Sequence, residues 1–140
     1  MEIISVSANN VNKVKDFLNN IPLLGGINDA VLMNGEFVYD QEIIGLLSFE
    51  EFFKIGLIRY FVFQKIITKE IIKEMFMKII DKAKEKNLIS FIALVIKKEA
   101  KTVFLNLGFH EINNNDVYID ETNLNATKYK NAVVLKYDVV

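Results

Sequence analysis

LIRYFVFQKIITKEIIKEMFMKIIDKAKEKNLISFIALVIKKEAKTVFLNLGF, residues 57–109, decides the fold. Its first seven residues, Leu57 to Phe63, are aromatic, aliphatic and β-branched around a single Arg59, and read as a strand. Thr68 is placed to cap a helix, and Glu70 sits in the first turn, where negative charge suits the helix dipole. Ile71, Ile72, Met75, Phe76, Ile79, Ile80 and Ala83 then repeat at helical spacing and predict a buried face. Lys73, Lys78, Lys82, Glu85 and Lys86 are assigned to the solvent side, and Asn87 to a left-handed terminator. Leu88 to Ile96 is almost wholly apolar, as expected of a strand buried on both faces. Strand, helix and buried strand make a crossover, which predicts Leu57–Phe63 and Leu88–Ile96 as parallel neighbours. Glu99 to Leu107 reads as a short helix with Gly108 at its C′ position. This order suits a cofactor-binding α/β unit. No glycine occurs between Leu57 and Leu107, so the usual glycine cradle for a phosphate is missing.

Upstream, Glu2 to Val6 reads as a strand, and Asn9 or Asn10 as the cap of a helix whose stripe is Val11, Val14, Phe17 and Leu18. Pro22 and Gly25-Gly26 predict a loop. Glu36–Tyr39, a turn at Gln41-Glu42, Ile43–Phe53, a turn at Lys54–Gly56 and the strand Leu57–Phe63 predict an antiparallel meander. Downstream, Phe109–Ile112 starts a strand, residues 113–116 form a turn, and Val117–Ile119 continues or restarts the strand. Glu121–Lys130 reads as loop, and Ala132–Val140 as a closing strand able to serve as a homodimer edge.

Composition narrows the classes. One hundred and forty residues, half of them hydrophobic, suit one folded domain over 1–140. A net charge of −1 with scattered basic residues gives no reason to expect nucleic acid. The absence of cysteine removes disulfides, a thiol nucleophile and Cys-ligated zinc, and fits a cytoplasmic setting. One histidine and no clustered carboxylates argue against a metal. No apolar run approaches the roughly 20 residues of a membrane-spanning helix, and Met1-Glu2-Ile3-Ile4 does not resemble a signal peptide.

The order of elements resembles the GNAT N-acetyltransferase superfamily over nearly the whole chain. Three pieces carry the resemblance: Glu36 through Gly45 as a hairpin, Ile58-Arg59-Tyr60-Phe61-Val62 as the fourth strand, and Ala100 through Leu107-Gly108-Phe109. It implies an α/β fold: a mixed twisted sheet with an antiparallel N-terminal meander, a parallel βαβ centre and C-terminal antiparallel strands, flanked by helices. It also implies acetyl-CoA as cofactor and acyl transfer to an amine, either a small molecule or a protein N-terminus or lysine. By the same resemblance, backbone around Phe61, Val62 and Phe63 faces the thioester. Thr68, Lys69 and Lys73 face the pyrophosphate, and Phe104 stands where relatives carry a proton-donating tyrosine. The family's R/Q-x-x-G-x-G/A segment corresponds to Gln64-Lys65-Ile66-Ile67-Thr68-Lys69, a degenerate version in which lysines and the helix dipole must substitute for glycine.

Candidate chemistry outside that segment is sparse. Glu50 and Glu51 occupy the position of a general base, and alternation puts them on opposite faces, so at most one serves. Arg59 either points into a cleft or joins an edge or an internal ion pair. Tyr118 and Tyr129 flank the polar stretch before the last strand, where a phenol can bond a substrate or act as the acid, or simply pack. His110 follows Gly108-Phe109 at an exposed place. Two functions fit these residues: an acyl-CoA-dependent N-acyltransferase, and a catalytically degenerate relative that binds a ligand or a protein. In the second, Ile71 or Ile72 would fill the former phosphate site.

Overall fold

The computed structural model describes residues 1–21, 26–113, 118–119, 122–123 and 132–140. The elements run β1 (Glu2–Ser5), α1 (Val11–Asn19), α2 (Asp29–Leu32), β2 (Glu36–Tyr39), β3 (Ile43–Phe52), β4 (Ile55–Phe63), α3 (Lys69–Glu85), β5 (Ser90–Val95), α4 (Lys98–Asn106), β6 (His110–Ile112), β7 (Tyr118–Ile119), β8 (Thr122–Asn123) and β9 (Val133–Asp138). One mixed sheet has the order β1-β2-β3-β4-β5-β9-β6, and β7 and β8 form a separate pair. This is the expected α/β class with a sheet flanked by helices. Contacts divide the chain into two compact units, Met1–Glu50 with Arg59–Lys82, and Glu51–Ile58 with Ala83–Val140.

In the first unit β1, β2 and β3 pair antiparallel, with Ser5 opposite Glu36 and Phe37 opposite Leu46. Val14, Phe17 and Leu18 of α1 bury against Phe37 and Leu46, joined by Leu32 of α2. The predicted stripe is therefore the observed core face. The predicted cap works differently. Asn10 turns backwards, its Oδ1 accepting from the Ser7 N–H at 2.8 Å and its amide donating to the Ser5 carbonyl at 3.0 Å. It fastens the strand-to-helix corner instead of the helix's first turn. Helix α2 lies in a stretch read as loop, because four residues are too few to show a period. Its cap is Asn28, whose Oδ1 accepts from the Ala30 and Val31 N–H groups.

Along α3, Met75, Phe76, Ile79 and Ile80 are buried as expected. Lys82 is not on the solvent side. Its ammonium donates to the Glu36 carboxylate at 2.6 Å and to the Gly35 carbonyl at 2.8 Å, while Glu36 is fully buried and also accepts from the Ser5 hydroxyl. A lysine stem is long enough to cover apolar surface and still deliver its charge to the strand ends, which a face assignment from period alone misses.

The second unit holds the crossover's pairing. Ile55, Gly56 and Leu57 run parallel to Ser90, Phe91 and Ile92, as predicted. The preceding turn is Phe53-Lys54 rather than 54–56. Phe53 takes φ 57 as the first turn residue, so Ile55 and Gly56 join the strand. Asn87 terminates α3 with φ 61, and the Leu88 N–H bonds back to the Ala83 carbonyl, closing a Schellman motif. β5 pairs along its length with β9, Ser90 opposite Asp138 through Val95 opposite Val133. Its burial stops at Val95, and Ile96 is exposed.

Helix α4 ends the same way. The Phe109 N–H reaches the Phe104 carbonyl, the Gly108 N–H reaches Leu105, and the Phe104 and Phe109 rings meet edge to face at 5.1 Å. Gly108 has φ +105, and a Cβ there would come to 3.3 Å from the Tyr137 ring. The Leu-Gly-Phe signature is thus a helix stop with its hydrophobic clasp. β8 falls inside the stretch read as loop; the remainder of that stretch and Tyr129 lie outside the described residues.

Removing Glu36 should leave a half-buried ammonium without its counter-charge. Glu36→Ala is expected to cost about 3 kcal/mol in urea unfolding. Lys101→Ala, which breaks only the surface pair with Glu111, should cost at most about 1 kcal/mol.

Candidate functional site

Six of the seven residues assigned to cofactor binding, all but Phe104, fall on one continuous run in the first unit: the end of β4, the connection 64–68 and the start of α3. β4 contains the strongest backbone anomaly in the described chain. Tyr60 has φ 53 in mid-strand, a region that bulky side chains avoid. The left-handed backbone at Tyr60 interrupts the regular extended conformation of the strand. Two sets of contacts hold it. The ring of Tyr60 packs with Val62 against the cluster of Val14, Phe17, Leu18 and Leu46. Its hydroxyl accepts from the Asn28 N–H at 3.1 Å and donates to the Gly26 carbonyl at 3.3 Å.

Phe61 and Phe63 contact each other edge to face at 5.0 Å between centroids, and both are only half-buried. The Phe63 ring lies over Gly45 of β3 so closely that a Cβ at Gly45 would collide with it. Gly45 is therefore needed for space, and the aromatic ring covers the backbone that the glycine bares. The expected trio Phe61, Val62 and Phe63 thus splits, with Val62 in the core and the two phenylalanines forming a partly open aromatic surface.

The connection 64–68 has no residue of positive φ. Its lack of glycine carries no conformational penalty. Ile66 is 98% exposed. The Thr68 hydroxyl accepts from the Ile71 N–H at 3.3 Å, as the sequence predicts. The Lys69 and Glu70 N–H groups have no acceptor among the described residues, so the start of this 17-residue helix keeps two donors and its dipole. Lys69 and Lys73 are exposed, one turn apart, and without an ion-pair partner among the described residues. Lys65 pairs with Glu42 at 3.5 Å. These are the groups that the sequence assigns to a pyrophosphate.

The other candidates sit elsewhere. Glu50 is half-buried and forms an ion pair with Arg59 at 2.5 Å, and the guanidinium also lies 5.7 Å from the Tyr60 ring centroid. Arg59 thus takes the internal-pair alternative, and Glu50 is its counter-ion. Glu51, in the second unit, pairs with Lys86 at 2.9 Å. Phe104, also in the second unit, is buried in the α4 clasp. Tyr118 is placed by its backbone alone, opposite Asn123. His110 is exposed at the start of β6. Among the described residues no group of three His, Asp or Glu side chains could hold a metal, and no helix is long and apolar enough to cross a membrane. Tyr60 escaped the sequence reading, because a left-handed φ leaves no mark in an aromatic strand.

No protein-family model and no curated protein matches the chain. Solved structures do. N-acetylglutamate synthase from Neisseria gonorrhoeae, complexed with coenzyme A and L-arginine, is 14% identical, with a TM-score of 0.72 over 98% of this chain. The chain spans 32% of that protein. Rv2747 from Mycobacterium tuberculosis, solved with CoA, is 12% identical with a TM-score of 0.72 and full coverage of both chains. A GNAT-family acetyltransferase from Staphylococcus aureus Mu50 is 18% identical, with a TM-score of 0.69 and 99% coverage of each. The chain has the GNAT acetyltransferase fold.

Tyr60→Phe should remove the tether between β4 and residues 26–28 and keep the ring packing. The expected loss is about 1 kcal/mol, with faster hydrogen exchange at the Asn28 amide. Unchanged exchange there would mean that the hydroxyl bonds do not restrain the loop.

Proposed function

We propose that the protein is an acyl-CoA-dependent N-acyltransferase. The observation that carries this reading is a β4 with left-handed Tyr60 leading into an N-capped helix whose first donors have no acceptor among the described residues, on a fold whose solved neighbours include CoA complexes. Bound acetyl-CoA would supply the activated acyl group. The residues of this chain would bind and orient. Backbone N–H groups around Phe61–Phe63 would polarise a thioester carbonyl. The Lys69 and Glu70 N–H groups, Lys69 and Lys73 would hold the pyrophosphate. Most of the rate would come from holding the amine and the carbonyl together, since both carboxylates considered as bases already neutralise cations.

Those same pairings favour a second reading. With Glu50 and Glu51 engaged and Phe104 unable to donate a proton, the fold could serve as a ligand- or protein-binding module without catalysis. Both readings fit a cytoplasmic protein; an acceptor amine, small or on a protein, belongs to the first.

Acetyl-CoA at 100 times its Kd should stabilise the protein by about 2.7 kcal/mol, a rise in Tm of roughly 8 °C. Lys69→Glu combined with Lys73→Glu should abolish most of that rise without lowering the Tm of the free protein. No shift at millimolar acetyl-CoA would overturn the acyltransferase reading. A shift without transfer to any amine would favour the binding module.

A further inference from the structure

A groove of about 350 Å³ lies in the first unit between α1 and the β2–β3 turn. It is within the size range of small-molecule sites. Phe17 and Ile43 give it an apolar floor, and the Tyr39 ring, 41% exposed, stands at its side. Lys13 and Asp16 line it from adjacent turns of α1. They carry opposite charges at a spacing that allows a pair on a helix surface. They form none here, and neither side chain has a polar partner among the described residues. Other charges nearby do find partners: Lys15 reaches Asp29 at 2.7 Å, and Glu42 at the groove's edge is held by Lys65.

The groove therefore offers one free cation and one free anion above an apolar floor. A ligand with a single charge would satisfy one and leave the other facing it. A ligand with both satisfies each, and an apolar side chain would cover Phe17 and Ile43.

We propose that this groove binds a small zwitterion, an α-amino acid with an apolar or aromatic side chain. Its ammonium pairs with Asp16 and its carboxylate with Lys13. The Tyr39 face adds attraction for the ammonium. The Asn20 amide, whose nitrogen is already bonded to the Asp16 carbonyl, offers its oxygen as a further acceptor. The site uses none of Phe61–Phe63, Thr68, Lys69 and Lys73; Gln64, the first residue of the segment compared with the pyrophosphate motif, stands at its edge.

The test is an amide-resolved NMR titration of the whole protein, without acetyl-CoA, so that its outcome is separate from the acyltransferase reading. The probes are L-phenylalanine and L-leucine, set against 2-phenylethylamine and 3-phenylpropionate, which carry only the cation or only the anion. Either amino acid should give saturable shifts confined to α1 and residues 39–43, with the single-charge analogues about tenfold weaker. Lys13→Met and Asp16→Asn, both exposed and expected to fold normally, should each weaken binding about fivefold. The proposal fails if neither amino acid gives saturable shifts, if an analogue binds as well, if the shifts map elsewhere, or if both variants bind like the parent.

Discussion

The parallel ladder of Ile55–Leu57 against Ser90–Ile92 is short, yet the topology hangs on it. Without it the chain would be two antiparallel hairpin sets joined by a helix. With it, α3 becomes a crossover. A parallel ladder needs apolar cover, and here Leu57 and Ile92 bury with Val134. The left-handed Asn87 supports the ladder from the sequence side. It stops α3 within one residue and lets Leu88 bond back to Ala83, which sets where β5 begins. A residue that ended the helix later would shift β5 by one position and turn its side chains to the opposite face.

β4 carries both the ladder at its start and the candidate site at its end, and Tyr60 separates the two. An aromatic residue at φ 53 is held there at a cost of order 1–3 kcal/mol. Its ring in the core and its hydroxyl on residues 26–28 offset that cost. Backbone strain of this kind belongs where a strand must present main-chain groups away from its ladder. At the next connection the situation reverses. Residues 64–68 keep ordinary backbone, and the Lys69 and Glu70 N–H groups at the start of α3 have no acceptor among the described residues.

Several charges of the first unit are tied across elements: Lys82 with Glu36, Arg59 with Glu50, Lys15 with Asp29. This is why Glu50 reads poorly as a base: its carboxylate is already held by the Arg59 guanidinium. Lys13 with Asp16 on α1 and Lys69 with Lys73 on α3 are among the charges of this unit without such a partner among the described residues, the first two at a groove and the second two at a helix start.

The sequence by itself determined the order of elements apart from α2 and β8, the parallel crossover, the α1 and α3 core faces, the Thr68 cap and the Asn87 and Gly108 helix stops. Each of these rests on local chemistry: period, a hydroxyl three residues before an amide, a residue tolerant of positive φ. It also placed the six pyrophosphate and thioester candidates from Phe61 to Lys73 on one continuous run, because they are neighbours along the chain. Tertiary structure decided what depends on distant partners. Lys82 went inward because Glu36 lies 46 positions away in sequence, Asn10 turned back because a strand end stood behind it, and Tyr60 tolerates its backbone because residues 26–28 receive its hydroxyl. No pattern within a helix or strand records such a partner, since the energy that selects it exists only after the elements have packed.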